Sequence, residues 1–245
     1  MNDGIIIGRN SVLEAIKTGR NIEKIMIKPG APEGSLIKLV SAAKSAGIPV
    51  AETDKRKLDK MAEGGNHQGV VAMASVYEYV NVEDILNASQ AKGEQPFVVI
   101  CDKITDPHNL GSIIRSAVGA GAHGIIISKH ESVGVNATVS KVSVGAVENL
   151  PIARVTNLAK TIDFLKDAGL WVYGTSGDGD KTIHETDFGG PVAIVIGSEG
   201  SGMSRLVREK CDFLVKILMI GPLESLNASV AAALVMYEVT RKRLG

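Results

Sequence analysis

Cysteine, aromatic side chains and any excess of one charge are scarce in this 245-residue chain. Its two cysteines, Cys101 and Cys211, leave no room for a disulfide scaffold, and their spacing fits no zinc site, so no metal is expected. Each lies in an apolar stretch and reads as a buried thiol. Aromatics make up 4%, so the core must be built from Ile, Val, Leu and Ala. The 27 basic and 27 acidic residues cancel. That balance speaks against a polybasic nucleic-acid coat protein, though not against a local basic patch. No apolar run approaches the roughly 18 residues of a membrane span, and Met1-Asn2-Asp3-Gly4 lacks the features of a signal peptide. A soluble, cytoplasmic protein with no membrane partner is expected.

Glycine, by contrast, is abundant, with 27 residues, and it punctuates a regular alternation of apolar runs and helical patterns. Gly4–Gly8 is a short apolar run, and Ser11–Lys17 reads as a helix capped by Asn10 or Ser11. Ile22–Ile27 alternates like a strand, and Leu36–Ala46 is a helix closed by Gly47. Val50 opens another extended segment. Lys55–Ala62 is a short charged helix, and Gly69–Val76 a strand. Residues 1–78 thus form a complete small α/β unit. Residues 79–95, polar with one short helical stretch and ending in Gly93-Glu94-Gln95-Pro96, read as a linker. Residues 96–245 carry near-continuous apolar runs at Phe97–Cys101, Ile125–Ile127, Trp171–Tyr173, Val192–Ile196 and Phe213–Ile217. Helical patterns at Leu110–Ala120, Leu158–Ala168, Met203–Lys210 and Leu226–Arg243 follow or separate them. Buried strands alternating with helices predict an α/β fold with a parallel sheet covered on both faces.

Two motifs mislead. Gly119-Ala-Gly121-Ala-His-Gly124 matches G-x-G-x-x-G, but it ends a helix and precedes a strand, the reverse of a dinucleotide loop. Asp178-Gly-Asp180 lacks the glycine and terminal glutamate of a calcium loop and reads as a solvated turn.

Three other motifs share a position at strand ends, where open α/β sheets bind ligands. After Phe97–Cys101 come Asp106-Pro-His-Asn109-Leu-Gly111-Ser-Ile-Ile-Arg115. Asn109 can cap the helix, and Gly111 leaves space beside its first turn. Arg115, set among Ile113, Ile114, Ala117 and Val118, calls for an anionic partner. After Val192–Ile196 come Gly197-Ser-Glu199-Gly-Ser-Gly202-Met-Ser204, a glycine-rich turn that lets backbone approach a ligand. After Phe213–Ile217 come Leu218-Met219-Ile-Gly221-Pro-Leu-Glu-Ser225-Leu226-Asn227-Ala-Ser229. One small polar residue would suffice to cap the helix that follows, so three suggest a second task.

These motifs, N-x-G-x-x-x-R, G-S-E-G-x-G and S-L-N-x-S in that order, resemble the SpoU/TrmH branch of the SPOUT RNA methyltransferases, and the resemblance spans essentially the whole chain. Gly8-Arg-Asn-Ser-Val-Leu-Glu-Ala-Ile16 and Asn66-His-Gln-Gly69-Val resemble that family's L30e-like substrate-binding domain. The resemblance implies a deep trefoil knot in the last third of the chain, a homodimer and S-adenosylmethionine as cofactor. The implied reaction is methylation of a ribose 2'-hydroxyl, with a guanosine of 23S rRNA as the nearest match and tRNA as the alternative substrate. It assigns Thr175, Gly177, Gly197, Ile217, Met219 and Leu226 to the cofactor. It sets Asn109, Arg115, Glu199, Ser225 and Asn227 around the reacting ribose. The family usually has Ile-Pro-Met where this chain has Ile217-Leu218-Met219, and the missing φ restraint implies a looser cofactor loop and weaker cofactor binding.

A guanidinium, with a pKa above about 12, does not give up its proton in proteins, so Arg115 is read as a clamp on an RNA phosphate. Residues 1–78 carry 11 − 9 = +2 charges, and Arg9, Lys17, Arg20, Lys24, Lys28 and His67 are the candidate RNA contacts there. Two readings compete with methyl transfer. One is a non-catalytic RNA-binding module acting in ribosome assembly. The other is a nicotinamide-dependent oxidoreductase, against which the misplaced G-x-G-x-x-G argues.

Overall fold

The computed structural model describes residues 4–20, 22–30, 33–74, 77–223 and 225–245. Met1, Asn2, Asp3 and the last two residues of the expected strand Gly69–Val76 lie outside them. The chain divides into two compact units, residues 1–78 and 79–245.

The first unit contains β1 (Ile5–Ile7), α1 (Arg9–Lys17), β2 (Ile22–Ile27), α2 (Ser35–Ser45), β3 (Val50–Glu52), α3 (Lys55–Ala62) and β4 (Val70–Ala74). Its sheet has the order β1-β4-β2-β3, in which only β2 and β3 run parallel. Alternation along β2 and β4 divides the core. Ile25 and Val70 pack with Val12 of α1 and Leu36 and Leu39 of α2, while Met26 and Val71 pack with Leu58 of α3. α1 starts at Arg9 with Gly8 as its N-cap, not at the expected Asn10 or Ser11. Gly8 has φ +88°, which glycine adopts without strain.

The second unit contains α4 (Val82–Ala91), β5 (Phe97–Cys101), α5 (Pro107–Gly119), β6 (Gly124–Ser128), α6 (Ala137–Val142) and a 3-10 turn at Ala146–Asn149. β7 (Ile152–Val155), α7 (Leu158–Asp167), β8 (Trp171–Thr175), β9 (Lys181–Thr182), β10 (Val192–Ile196), α8 (Arg205–Lys210), β11 (Phe213–Lys216) and α9 (Ala228–Leu244) complete it. The sheet order is β7-β6-β5-β10-β8-β11-β9, and every pairing is parallel. All seven strands therefore end at one edge, and Cys101 is in register with Ile196 there. Every residue of β5 and of β10 is buried, as their unbroken apolar runs predict.

Residues 79–95 are not a linker. Val80 donates to the Ile152 carbonyl at 3.0 Å and bridges Ala153 at the sheet edge, and α4 buries Val82 and Ile85 in the main core. The short polar helix conceals its apolar side because only Val82, Ile85 and the partly buried Leu86 carry the contact. The expected cap of α5 is likewise displaced. Asp106 accepts from the His108 amide at 2.7 Å, with Pro107 in the first helical position. Gly111 does not leave a vacancy. A Cβ there would lie 2.7 Å from Val142 Cβ, so the glycine lets α6 pack against α5. Cys101 is buried and Cys211 only partly so, and burial pushes both thiols up to about 12.

His123 supplies a buried joint at the opposite edge of the sheet. Its Nδ1 accepts from the Phe97 amide at 3.0 Å, and its Nε2 lies 2.9 Å from Glu94 Oε2, which fixes a neutral tautomer with Nε2 as donor. Burial holds its pKa below the ordinary 6.5, against the smaller opposing pull of Glu94. The folded state thus binds fewer protons than the unfolded one below that value. The stability contributed by neutral His123 is complete above pH 6.5 and declines as pH falls from there toward the lowered folded pKa. Urea unfolding followed from pH 8 to pH 5 is expected to show this decline, and H123Q is expected to flatten it. Equal pH dependence in both proteins would contradict the assignment.

Candidate active site

Three loops, after β5, β10 and β11, leave the carboxyl edge of the sheet, with the turn after β8 between the last two. The Gly197–Gly202 loop closes on itself, with the Ser198 amide donating to the Gly202 carbonyl at 3.1 Å and the Gly202 amide returning to Ser198 at 2.9 Å. A Cβ on Gly197 would lie 2.3 Å from the Gly202 carbonyl carbon, so no larger residue can stand there without displacing the loop. Asp102, buried at the end of β5, accepts from the Ser204 amide at 2.6 Å and fastens the start of α8 to the sheet.

A cleft of about 190 Å³ lies between these loops and the segment before α9. All six residues assigned to the cofactor, Thr175, Gly177, Gly197, Ile217, Met219 and Leu226, line it. Glu199 and Ser225 also line it, as do Ser176, Ile196 and Val215, which the motifs did not single out. Thr175 Oγ1 donates to the Val195 carbonyl at 2.9 Å, so the threonine ties β8 to β10 as well. A Cβ on Gly177 would meet nothing within 4 Å. Apolar walls beside hydroxyls and open backbone suit a ligand with a flat apolar ring and a polar sugar. Leu218, at the departure from the family's proline, is 60% exposed.

At the mouth, three side chains from three motifs close a triangle. Asn109 Nδ2 donates to Glu199 Oε1 at 2.9 Å, Asn227 Nδ2 donates to Asn109 Oδ1 at 2.9 Å, and Asn227 Nδ2 also donates to Glu199 Oε1. The same carboxylate oxygen accepts from the Ala228 amide at 3.2 Å, at the positive end of α9. Asn227 is also the helix cap, its Oδ1 accepting from the Ser229 and Val230 amides at 3.0 and 3.3 Å. One residue therefore performs both tasks that the run of small polar residues suggested. Ser225 stands apart from this triangle.

Arg115 does not join the cluster. It is exposed, and among the described residues it has no hydrogen bond or ion pair, so the apolar setting and anionic partner expected from its neighbours are not found. Six residues of helix turn it about 240° from Asn109. The buried side of α5 carries Ile113, Ile114 and Ala117, whereas Arg115 and Val118 face outward.

In the first unit Lys17, Arg20, Lys24 and Lys28 are exposed. Arg9 and His67 are committed to the fold. Arg9 donates to the Gln68 carbonyl at 3.1 Å and to Ser35 Oγ at 3.3 Å. His67 uses both ring nitrogens, bonding Asp59 at 2.9 Å and accepting from the Gly69 amide at 3.0 Å, with its side chain 11% exposed. An RNA contact at His67 is thus disfavoured by its own hydrogen bonds.

Residues 96–237 match the model of the SpoU rRNA methylase family, and residues 5–80 match the substrate-binding domain of RNA 2'-O ribose methyltransferases. YacO of Bacillus subtilis, a candidate TrmH family tRNA/rRNA methyltransferase, is 49% identical over 238 residues, covering 97% of this chain and 95% of its own. A Staphylococcus aureus protein of the same description is 49% identical over 243 residues, covering 99% and 98%. Among solved structures, the SpoU methyltransferase AviRb of Streptomyces viridochromogenes in complex with AdoMet superposes with a TM-score of 0.62. It shares 26% identity and is matched over 98% of this chain and 90% of its own. The parallel sheet, the three loops at its edge and these matches make the chain an RNA methyltransferase of the SpoU family.

Proposed function

We propose that this protein methylates a ribose 2'-hydroxyl in RNA, with 23S rRNA as substrate and a guanosine as target, in the cytoplasm. The observation that carries this reading is the Asn109–Glu199–Asn227 triangle at the mouth of the cleft that gathers all six expected cofactor residues. S-adenosylmethionine fits that cleft. Ile217 and Leu226 would offer it apolar contact, Thr175 and Gly177 would line the polar side of its site, and Gly197 would let backbone approach it. When bound, the cofactor supplies an electrophilic methyl group.

The chain's own task is placement. A ribose hydroxyl is hardly acidic near neutrality, so reaction depends on holding its oxygen in line with the methyl carbon and on stabilising charge as it develops. The Asn109 and Asn227 amides, fixed by Glu199, orient the ribose, with Ser225 beside it. Arg115, with no partner of its own among the described residues, clamps an adjacent phosphate.

A homodimer completes the site. α9 is apolar on both sides, burying Ala232, Val235 and Met236 while exposing Val230, Leu234 and Tyr237 at i, i+4 and i+7. Over Ala228–Tyr237 only Ser229 interrupts the apolar surface, and a helix segment apolar all round is one covered all round. The exposed side of α5, with Arg115 and Val118, adjoins it, since a Cβ on Gly119 would lie 2.8 Å from Tyr237 Oη. Pairing through this face brings Arg115 of one protomer to the cleft of the other. This agrees with the turn that separates Arg115 from Asn109 within one chain.

The test is transfer of labelled methyl from S-adenosylmethionine to unmodified bulk bacterial RNA, followed by separation of rRNA from tRNA and alkaline hydrolysis. Label in alkali-resistant dinucleotides of 23S rRNA is the expected result. Label confined to tRNA would overturn the substrate, and alkali-labile label would overturn the 2'-hydroxyl as acceptor. No transfer to any RNA would favour the non-catalytic assembly module.

A further inference from the structure

We infer that Arg208 and Asp178 form a latch that shapes the cofactor cleft from outside and so sets the affinity for S-adenosylmethionine. This inference rests on the cleft being the cofactor site. Residues 175–179 leave β8 as a tight turn whose first three residues line the cleft. Both ends of the turn are fixed by backbone. The Ser176 amide donates to the Val215 carbonyl at 2.9 Å, and Asp180 donates to Leu214 at 3.1 Å. Gly179 lies so close to β11 that a Cβ there would be 2.7 Å from the Val215 carbonyl carbon.

The middle of the turn is gripped by a side chain from elsewhere. Arg208 Nη1 donates to Ser176 Oγ at 2.7 Å and to Asp178 Oδ1 at 3.0 Å, and Nη2 donates to Asp178 Oδ2 at 2.9 Å. Ser176 Oγ donates to the same carboxylate. Asp178 is therefore a solvated turn residue, as its sequence suggests, but not a free one. Arg208 in turn belongs to α8, which follows the Gly197–Gly202 loop and is fastened at its start by Asp102. Two walls of the cleft, from β8 and from β10, are thus joined by one guanidinium behind them.

Exposed ion pairs contribute little as a class, and Asp178 is 70% exposed. This pair differs in being bidentate, in reaching a third acceptor, and in linking segments 30 residues apart. Helix α8 supplies its own control. Arg205 and Glu209 form an ordinary i,i+4 pair at 2.8 Å that joins nothing else among the described residues. Hydrogen bonds from Arg208 and Ser176 hold the Asp178 carboxyl down to about 2. It remains ionised at any working pH, so the latch does not open on mild acidification.

The experiment is calorimetric titration of the full chain with S-adenosylmethionine, with steady-state methyl transfer and amide hydrogen exchange over residues 176–180. R208K keeps the charge but loses the fork, and D178N loses the acceptor charge. Each is expected to weaken cofactor binding about tenfold and to raise KM for the cofactor, leaving kcat at saturation near that of the parent. The double variant is expected to be no worse than either single, because both remove one interaction. Exchange in the turn accelerates in both, while R205A changes neither affinity nor exchange. Parental affinity and exchange in R208K and D178N would overturn the latch, as would an equal loss in R205A. If the parent itself binds no S-adenosylmethionine, the cofactor reading fails separately and the latch's effect on affinity falls with it.

Discussion

Glu199→Ala is expected to lower methyl transfer about 10²–10³-fold, the range found when a group that stabilises or places reacting atoms is removed. One oxygen of Glu199 accepts from Asn109, Asn227 and the Ala228 amide. Among the described residues no other group holds both asparagines, and their mutual bond at 2.9 Å cannot by itself fix their position over the cleft. Removing the carboxylate frees the Asn109 side chain to turn about its own torsions. The expected cost in stability is far smaller, about 1 kcal/mol, because the triangle is open to solvent and water replaces the lost acceptor. The separation is measurable as a large fall in kcat beside a small shift in urea midpoint. Glu199→Gln refines it, since a glutamine oxygen can accept the same three bonds without the charge. It is expected to retain at least about tenfold more activity than Glu199→Ala. Equal loss in both variants would transfer the role from geometry to negative charge, and parental turnover in Glu199→Ala would remove the triangle from the mechanism.

The parts of this site that were legible in the sequence are those encoded by contiguous residues. Phe97–Cys101 and Val192–Ile196 announce buried parallel strands because nothing polar interrupts them. The glycines of Gly197–Gly202 announce a backbone that must pass close to itself, which the separation at Gly197 bears out. The illegible parts depend on partners distant in sequence. Asp102 is four residues before Asp106 and looks like a loop carboxylate, yet it is buried and binds the Ser204 amide 102 residues away. Arg208 and Asp178 each look like ordinary surface charges until the fold brings them together. Arg115 shows the reverse error. Its apolar sequence neighbours suggest burial, but on a helix the neighbours that matter are three and four residues away, and Arg115 lies on the side those residues leave open. The strand β7 and the helix α6 were missed because each is short and lacks strong periodicity.

Arg115→Lys is expected to reduce kcat about 10²–10³-fold while leaving cofactor affinity and thermal stability unchanged. The stability expectation follows from structure, since Arg115 makes no hydrogen bond or ion pair among the described residues whose loss would be felt. The affinity expectation follows from its absence from the lining of the cleft. What the lysine loses is the planar fork that grips a phosphate with two parallel bonds, and near-parental turnover would sink the clamp. The proposed dimer supplies a sharper test. If Arg115 acts in the partner's cleft, a mixture of Arg115→Ala and Glu199→Ala chains, each almost inactive alone, contains heterodimers with one complete site, in which the arginine comes from one chain and the glutamate from the other. Refolding the two variants together in equal amounts is then expected to restore about a quarter of parental activity, since half the dimers are mixed and each has one working site of two. An arginine that serves its own chain would leave every heterodimer site lacking one group, and no activity would return. Recovery therefore reports the direction in which Arg115 reaches, a property set by its turn of about 240° from Asn109 on α5.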